Sequence, residues 1–290
     1  MFPLNMMQSW NRICDSQFYD VSALTGEERQ GLSVTENPEG AIIVVYPAKD
    51  KRNILHYQLD DFISELVDGQ LPVRTIAIAG VGSSALGTAA LSRNIADYIG
   101  EPVCGIISGM GMVDLLTEGL GGWYVLGARN MIRDWVSRSF AMSGIPLESS
   151  QYTSGSDPFP EHFVPGSPDA VALLKILLVA AHKLRLIVGH SKGNYIIENA
   201  MEGYVAFCRQ QAKAISEFQI VTLSALVRFP SEIKKVKQVI GGMDFFGAMN
   251  SRPFLDAKTV PLATHTTNPE RPFPLIVAKA LEVAGIAKKN

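Results

Sequence analysis

The sequence predicts an α/β protein, a doubly wound and mostly parallel sheet with one insertion after the strand at about 102–109. Short apolar runs of strand length alternate along the chain with longer segments that carry apolar residues at helical spacing. A strand, a helix and a second strand in that order imply a parallel pair joined by a crossover helix. The chain has 290 residues, 47% of them hydrophobic, so we expect one large core in a single domain, 1–290.

The elements before the insertion follow from apolar periodicity and from helix end signals. The helix expected to start at Ser84 should end near Gly100, because glycine commonly follows the last helical residue. In chain order we predict a strand at 41–47, a helix within 57–69, a strand at 75–79, a helix at 84–99 and a strand at 102–109.

Between 109 and 167 the pattern loosens. Segments rich in Gly, Ser and Pro flank a stretch in which Trp123, Trp135 and other apolar residues alternate with arginines. We expect a lid-like insertion over a pocket, and the alternative is a surface helix packed on the sheet.

After the insertion, Ser167 and Pro168 mark the start of a strong helix, because proline suits the first helical turn behind a serine cap. The pattern gives about seven or eight strands in total. The remaining predictions are helices at 167–183, 193–214 and 273–288, and strands at 184–189, 218–227, 236–242 and 258–263.

The composition excludes several classes of function. A net charge of −2 without a basic stripe argues against a nucleic-acid partner. Cys14, Cys104 and Cys208 form no C-x-x-C pair, so we expect a reducing compartment and no disulfide or zinc framework. We also expect no other metal and no cofactor. The N-terminus is a poor signal peptide, and no apolar run of about 18 residues is present. We therefore expect a cytoplasmic protein with no stable membrane span.

The segment "LIVGHSKGNYII" carries Gly189, His190, Ser191, Lys192 and Gly193 at the junction of an apolar strand and a helix. It matches G-x-S-x-G, the pattern that holds a nucleophilic serine on a tight turn. Glycines are needed two residues before and after the serine, because a Cβ there would keep strand and helix apart. The alternative is that these glycines only make a close turn.

With this motif in its strand–turn–helix context, the chain resembles the α/β-hydrolase family from about residue 41 to the C-terminus. The resemblance implies a triad in the order serine, acid, histidine, with each member in a loop at a strand end. It implies Ser191 as nucleophile, Asp244 as acid and His265 as base, and it gives His190 a packing role. Asp256 is the alternative acid, because it also falls between the relevant strands.

The stretch "TIAIAGVGSSALG" then has two interpretations. The resemblance implies that the oxyanion hole is formed by the backbone N–H groups of Val81 and Lys192, although Ala79 stands where the family usually has histidine. The other interpretation is a dinucleotide-binding turn. That turn requires an acidic residue at the end of the following strand, and "PVCGIISG" lacks one.

These predictions give a serine hydrolase that cleaves a carboxylic ester, with a small-molecule or lipid-like acyl ester as substrate. A thioesterase or acyltransferase on the same fold is one alternative. A catalytically inactive binding protein is another, and it predicts His265 Nε2 more than about 4 Å from Ser191 Oγ. The side chain of Lys192 is interpreted either as a solvated lysine or as a charge that favours an acidic substrate.

Overall fold

The computed structural model describes residues 15–34, 38–80, 83–108 and 167–289. The insertion expected at 109–167 therefore lies, apart from Ser167, outside the described residues, and so does Val81. The strands of the described part are β1 Ile42–Val45, β2 Leu55–Tyr57, β3 Thr75–Ile78, β4 Val103–Ile106, β5 Leu186–His190, β6 Gln219–Leu223, β7 Val236–Gly241 and β8 Lys258–Val260.

These eight strands of the described residues form one sheet in the order β2-β1-β4-β3-β5-β6-β7-β8. The run from β4 to β8 is parallel throughout, and β1 is antiparallel to both β2 and β4. The α/β class and the mostly parallel sheet expected from the sequence are thus confirmed. The centre of the sheet is apolar on both faces, as parallel strands covered by helices require, and every residue of β3 and β5 is buried.

Helices cover both faces of the sheet and divide the core into two clusters. One cluster, with Phe62, Leu173 and Ile197, lies under the helices that contain these residues, and the other, with Leu91 and Leu281, lies on the opposite face. The helices with both ends in the described part are α1 Gly26–Val34, α2 Leu59–Val67, α3 Ala85–Ile99, α4 Pro168–Ala180, α5 Gly193–Gln210, α6 Phe245–Met249 and α7 Val277–Ala284, and residues 15–18 are helical as well. Three short 3-10 turns lie at Val21–Ala23, Ala48–Asp50 and Ala181–Lys183.

The strand order reverses between β3 and β5. From β3 the chain crosses through α3 to β4 on one side, whereas β5 pairs with β3 on its other side and leads through α5 to β6. The two crossovers therefore diverge at the carboxyl ends of β3 and β5. Open parallel sheets bind ligands at such a point. The G-x-S-x-G turn lies there, at the carboxyl end of β5.

Two short elements of the structure differ from the sequence-based expectation. β2 is a three-residue edge strand, and α6 is a five-residue helix inside the loop expected after β7. Neither has enough residues to display a periodicity. None of the described helices is both long and apolar enough to cross a membrane.

Candidate active site

The turn between β5 and α5 holds Ser191 in a left-handed backbone conformation, with φ 54°. Residues with a side chain rarely adopt this conformation, so the surrounding backbone must hold it in place. A Cβ on Gly193 would overlap the carbonyl oxygen of Ile78, and one on Gly189 would overlap the side chain of Asn194. The close strand-to-helix approach expected from the sequence is therefore present on both sides of the serine.

Three predicted side chains meet at this turn. His265 Nε2 lies 3.0 Å from Ser191 Oγ, and His265 Nδ1 lies 2.9 Å from Asp244 Oδ1. Asp244 follows β7, and His265 lies in the loop between β8 and α7. The sheet thus brings together residues from the ends of three strands, over sequence separations of 74 and 21 residues.

Hydrogen bonds keep the Asp244 carboxyl ionised. Burial alone raises the pKa of such a group, but the hydrogen bond and charge of His265 and the N–H of Gly247 together hold the Asp244 pKa below its ordinary value. Gly247 N–H donates to Oδ1 at 2.6 Å, so Asp244 also caps α6. An ionised carboxylate only accepts hydrogen bonds, and His265 therefore carries its proton on Nδ1 and accepts from Ser191 through Nε2.

Two aromatic rings lie against the imidazole of His265. The ring of Phe246 is edge-on at 4.8 Å between centroids, and that of Phe18 is edge-on at 5.7 Å. Phe246 is 49% exposed, and its neighbour Phe245 is 78% exposed. Exposed apolar side chains of α6 thus lie at or next to His265.

The end of β3 packs directly against the serine. A Cβ on Gly80 would stand 2.8 Å from Ser191 Cβ, and the hydroxyl of Ser108 donates to the carbonyl of Ala79 at 2.9 Å. The strand end that precedes Val81 is thus fixed beside Ser191, although the N–H of Val81 itself lies outside the described residues.

Lys192, the second residue expected at an oxyanion hole, is the N-cap of α5 and is partly buried. Burial raises the pKa of the nearby carboxyl of Asp169, and the charge of Lys192 opposes that rise. The lysine thus interacts electrostatically with the buried carboxyl of Asp169. Neither sequence-based interpretation of Lys192, as a solvated lysine or as a charge directed at the substrate, anticipated this neighbour.

Tyr19 and Asp15 are parts of this region that sequence reasoning missed. Tyr19 Oη lies 3.0 Å from His190 Nδ1 and accepts a hydrogen bond from Gly80 N–H at 2.5 Å. Asp15 accepts from Ser84 Oγ at 2.5 Å, at the start of α3. These pairs join positions 61 to 171 residues apart, and no local pattern signals such contacts.

The other acid and histidine candidates lie elsewhere. Asp256 is exposed and is not among the residues that contact His265, so Asp244 is the carboxylate that the fold pairs with the imidazole. His56 and His182 are exposed, and His162 lies outside the described residues. Within the described part of the chain, no group of three or more His, Cys, Asp or Glu side chains is arranged to hold a metal ion.

Comparison of the chain with protein-family models, with curated proteins and with solved structures finds no match. A function is therefore inferred from the geometry of the site and from its place at the carboxyl edge of the sheet.

Proposed function

We propose that the chain is a serine hydrolase of the α/β-hydrolase type that cleaves a carboxylic ester through an acyl-serine intermediate. The observation that carries the proposal is the 3.0 Å contact between His265 Nε2 and Ser191 Oγ, backed by the 2.9 Å contact between His265 Nδ1 and Asp244. Nucleophile and base at hydrogen-bond distance, with a third group that orients the base, are the signature of nucleophilic catalysis. A catalytically inactive binding protein would instead be expected to have His265 Nε2 more than about 4 Å from Ser191 Oγ.

In the first half of the reaction Ser191 Oγ attacks the ester carbonyl carbon while His265 Nε2 takes the hydroxyl proton. The tetrahedral oxyanion accepts hydrogen bonds from the backbone N–H of Lys192 and, by the sequence-based prediction, of Val81. His265 then gives its proton to the leaving alcohol as the carbon–oxygen bond breaks. The ionised Asp244 stabilises the transient imidazolium and keeps its Nδ1 proton in place.

In the second half a water molecule repeats the sequence. His265 removes a proton from the water, the hydroxide adds to the acyl carbon, and the collapse of the intermediate expels Ser191 Oγ, which recovers the proton from His265. The products are a carboxylic acid and an alcohol, and no redox partner or metal enters the balance.

The class of substrate is proposed from the surroundings of His265. Phe246 touches the imidazole, and exposed Phe245 and Met249 continue the apolar surface of α6. An apolar acyl or alcohol group would bury this surface, with a gain of about 25 cal/mol for each Å² removed from water. We therefore propose an ester with an apolar chain as substrate.

The test is covalent labelling by a fluorophosphonate probe, followed by hydrolysis of p-nitrophenyl esters of graded chain length. Wild type should be labelled, and Ser191→Ala should lose both labelling and about 10⁴-fold or more of the hydrolysis rate. Asp244→Asn should lose about 10⁴-fold, because the amide favours the wrong tautomer of His265.

Ser92→Ala is the matched control, because Ser92 is also buried but lies in α3. It should keep wild-type labelling and turnover. Labelling that persists in Ser191→Ala, or a folded wild type that is never labelled, would contradict the proposal. A parallel panel of thioesters and of competing alcohol acceptors would separate hydrolysis of oxygen esters from thioesterase or acyltransferase activity.

A further inference from the structure

We propose that Tyr19 is a positioning residue for the candidate base His265, and that it acts through His190 as the centre of a brace formed by residues 15–19. The inference rests on the proposed function for its catalytic meaning. Residues 15–19 contact the chain after β3, at the last residue of β5 and after β8, three places near Ser191. We call these five residues the N-terminal brace.

A line of three hydrogen bonds crosses the site behind the triad. Gly80 N–H donates to Tyr19 Oη at 2.5 Å, Tyr19 Oη is 3.0 Å from His190 Nδ1, and His190 Nε2 is 3.0 Å from the carbonyl of His265. A carbonyl only accepts, so His190 must donate from Nε2 and accept at Nδ1. The hydroxyl proton of Tyr19 therefore points to His190, and the hydroxyl uses both its donor and its acceptor capacity.

This line works only with a neutral His190. Burial, and next the neighbouring His265, lower the pKa of His190 to about 3, so its ring remains neutral at physiological pH. A neutral ring has one donor and one acceptor, and the two partners of His190 match them. The three hydrogen bonds thus all donate in the same direction. Gly80 donates to Tyr19, Tyr19 donates to His190, and His190 donates to the backbone carbonyl of His265.

Other residues of the N-terminal brace bind the loop that follows His265. The backbone N–H and hydroxyl of Thr267 both donate to the carbonyl of Phe18, at 2.8 and 2.7 Å. Asn268 Nδ2 donates to the carbonyl of Ser16 at 2.6 Å. Since Phe18 also meets the ring of His265, residues 265–268 are attached to the brace by backbone and side chain alike.

The tyrosine hydroxyl, rather than the ring, is the part that this role requires. Tyr19 is 2% exposed, and its ring packs edge-on against His190 at 5.3 Å. Phenylalanine would keep that packing but would leave Gly80 N–H and His190 Nδ1 without these partners. His190 would then be held by one hydrogen bond instead of two, and the carbonyl of His265 would lose a fixed donor. A misplacement of about 1 Å at a reacting group costs about a hundredfold in rate.

The experiment compares Tyr19→Phe with Tyr204→Phe in the full chain. Tyr204 is the matched control, because it is 4% exposed and its hydroxyl also accepts a backbone N–H, that of Ser216, at 3.0 Å. We expect Tyr19→Phe to lower kcat and the fluorophosphonate labelling rate about 10- to 100-fold, with KM changed less than about threefold. Tyr204→Phe should keep wild-type values.

A spectroscopic readout, independent of turnover, uses ¹⁵N-histidine labelling and long-range ¹H–¹⁵N correlation. In wild type His190 should show the Nε2–H tautomer with Nδ1 as a hydrogen-bonded acceptor. Tyr19→Phe should shift Nδ1 of His190 and the ring nitrogens of His265, and Tyr204→Phe should shift neither. An unchanged His265 ring and rate in Tyr19→Phe, or equal changes in both variants, would overturn the proposal.

A second pair of variants serves if Tyr19→Phe does not fold. His190→Gln keeps one acceptor and one donor near Tyr19 and the carbonyl of His265. His190→Met has a side chain of similar length but no donor and only a weak acceptor. We expect His190→Gln to react at least about tenfold faster than His190→Met, and equal rates would overturn the proposal. If wild type is not labelled at all, the proposed function fails, and the ¹⁵N shifts of His265 still decide whether Tyr19 positions it.

Discussion

At the scale of single residues, the region behind the triad contains two buried titratable groups whose pKa values move in opposite directions. Burial raises the pKa of Asp15 to about 7, against hydrogen bonds from Ser84 and Gly87 that lower it. Burial lowers the pKa of His190 to about 3. Both side chains are therefore neutral in the folded protein at pH values between these two pKa values.

The raised pKa predicts a pH dependence of stability that Asp15→Asn removes. Between about pH 4 and 7 the folded protein retains a proton that the unfolded chain releases, so the Asp15 contribution to the unfolding free energy falls as pH rises and levels off above 7. Relative to Asp15→Asn, wild type should lose about 2 kcal/mol between pH 5 and 7. Urea unfolding at several pH values measures this difference.

The comparison of wild type with Asp15→Asn separates the contribution of Asp15 to the unfolding free energy from that of His190. Because its folded pKa is lowered, His190 contributes stability that increases with pH between about 3 and 6.5, the opposite slope, and it is present in both proteins. Asp256→Asn makes the same chemical change at an exposed position and is the control. A difference between wild type and Asp15→Asn that is flat with pH would contradict the prediction.

Much of the candidate site could be predicted at the residue scale, because the G-x-S-x-G motif marks Ser191 and the family resemblance implies Asp244 and His265 at later strand ends. Tyr19 and Asp15 could not be predicted. Their roles depend on a chain segment folding back over β3 and β5, and a tyrosine near the N-terminus has no local signal for a partner 171 residues away.

At the scale of elements, the junction of β5 and α5 determines where Ser191 stands. Gly193→Ala places a Cβ onto the backbone carbonyls of Ile78 and Ala79, which belong to the central strand β3 and its end and cannot move aside. We expect a loss of about 3 kcal/mol in the free energy of unfolding, because overpacking against fixed backbone forces the strand and helix apart. Urea unfolding measures the loss, and fluorophosphonate labelling should fall with it.

Gly31→Ala in α1 is the control for that substitution. Nothing lies within 4 Å of the added Cβ, so alanine should stabilise the helix by up to about 1 kcal/mol. If Gly193→Ala proved as stable and as reactive as wild type, the close approach of β3 to α5 would not be required.

Long elements were predictable and short ones were not. The helix expected at 84–99 is observed at Ala85–Ile99, with Gly100 in the left-handed conformation that ends it. The last helix, expected at 273–288, is shorter, Val277–Ala284, because apolar spacing continues into flanking loops. α6 was not predicted, because five residues are too few to display apolar spacing.

At the scale of the molecule, strand directions follow from topology that local patterns do not encode. β1 is a fully buried apolar run like β3, yet it is antiparallel to its neighbours. The class of sheet was predictable from alternating strands and helices, whereas the direction of β1 and its place next to β4 were not. The single domain over 1–290 and the lid-like role of 109–167 stay predictions.

The sheet also implies a gradient of local stability across the molecule. β5 is buried throughout and paired on both sides, whereas β2 and β8 are edge strands of the described sheet with mostly exposed side chains. Backbone amides of β5 should exchange with solvent only on global unfolding, and those of β2 and β8 about a hundredfold faster or more, through local opening. Hydrogen exchange read by mass spectrometry or NMR measures this contrast, and equal protection of β5 and β8 would contradict it.

The gradient bears on the candidate base, because His265 follows β8, for which we expect low protection. Its loop is fixed instead through Thr267, whose N–H is bonded to Phe18 at 2.8 Å, and through His190. The amide of Thr267 should therefore exchange more slowly than those of β8 in wild type. If it exchanges as fast as β8, the edge strand rather than the N-terminal brace controls the position of the base.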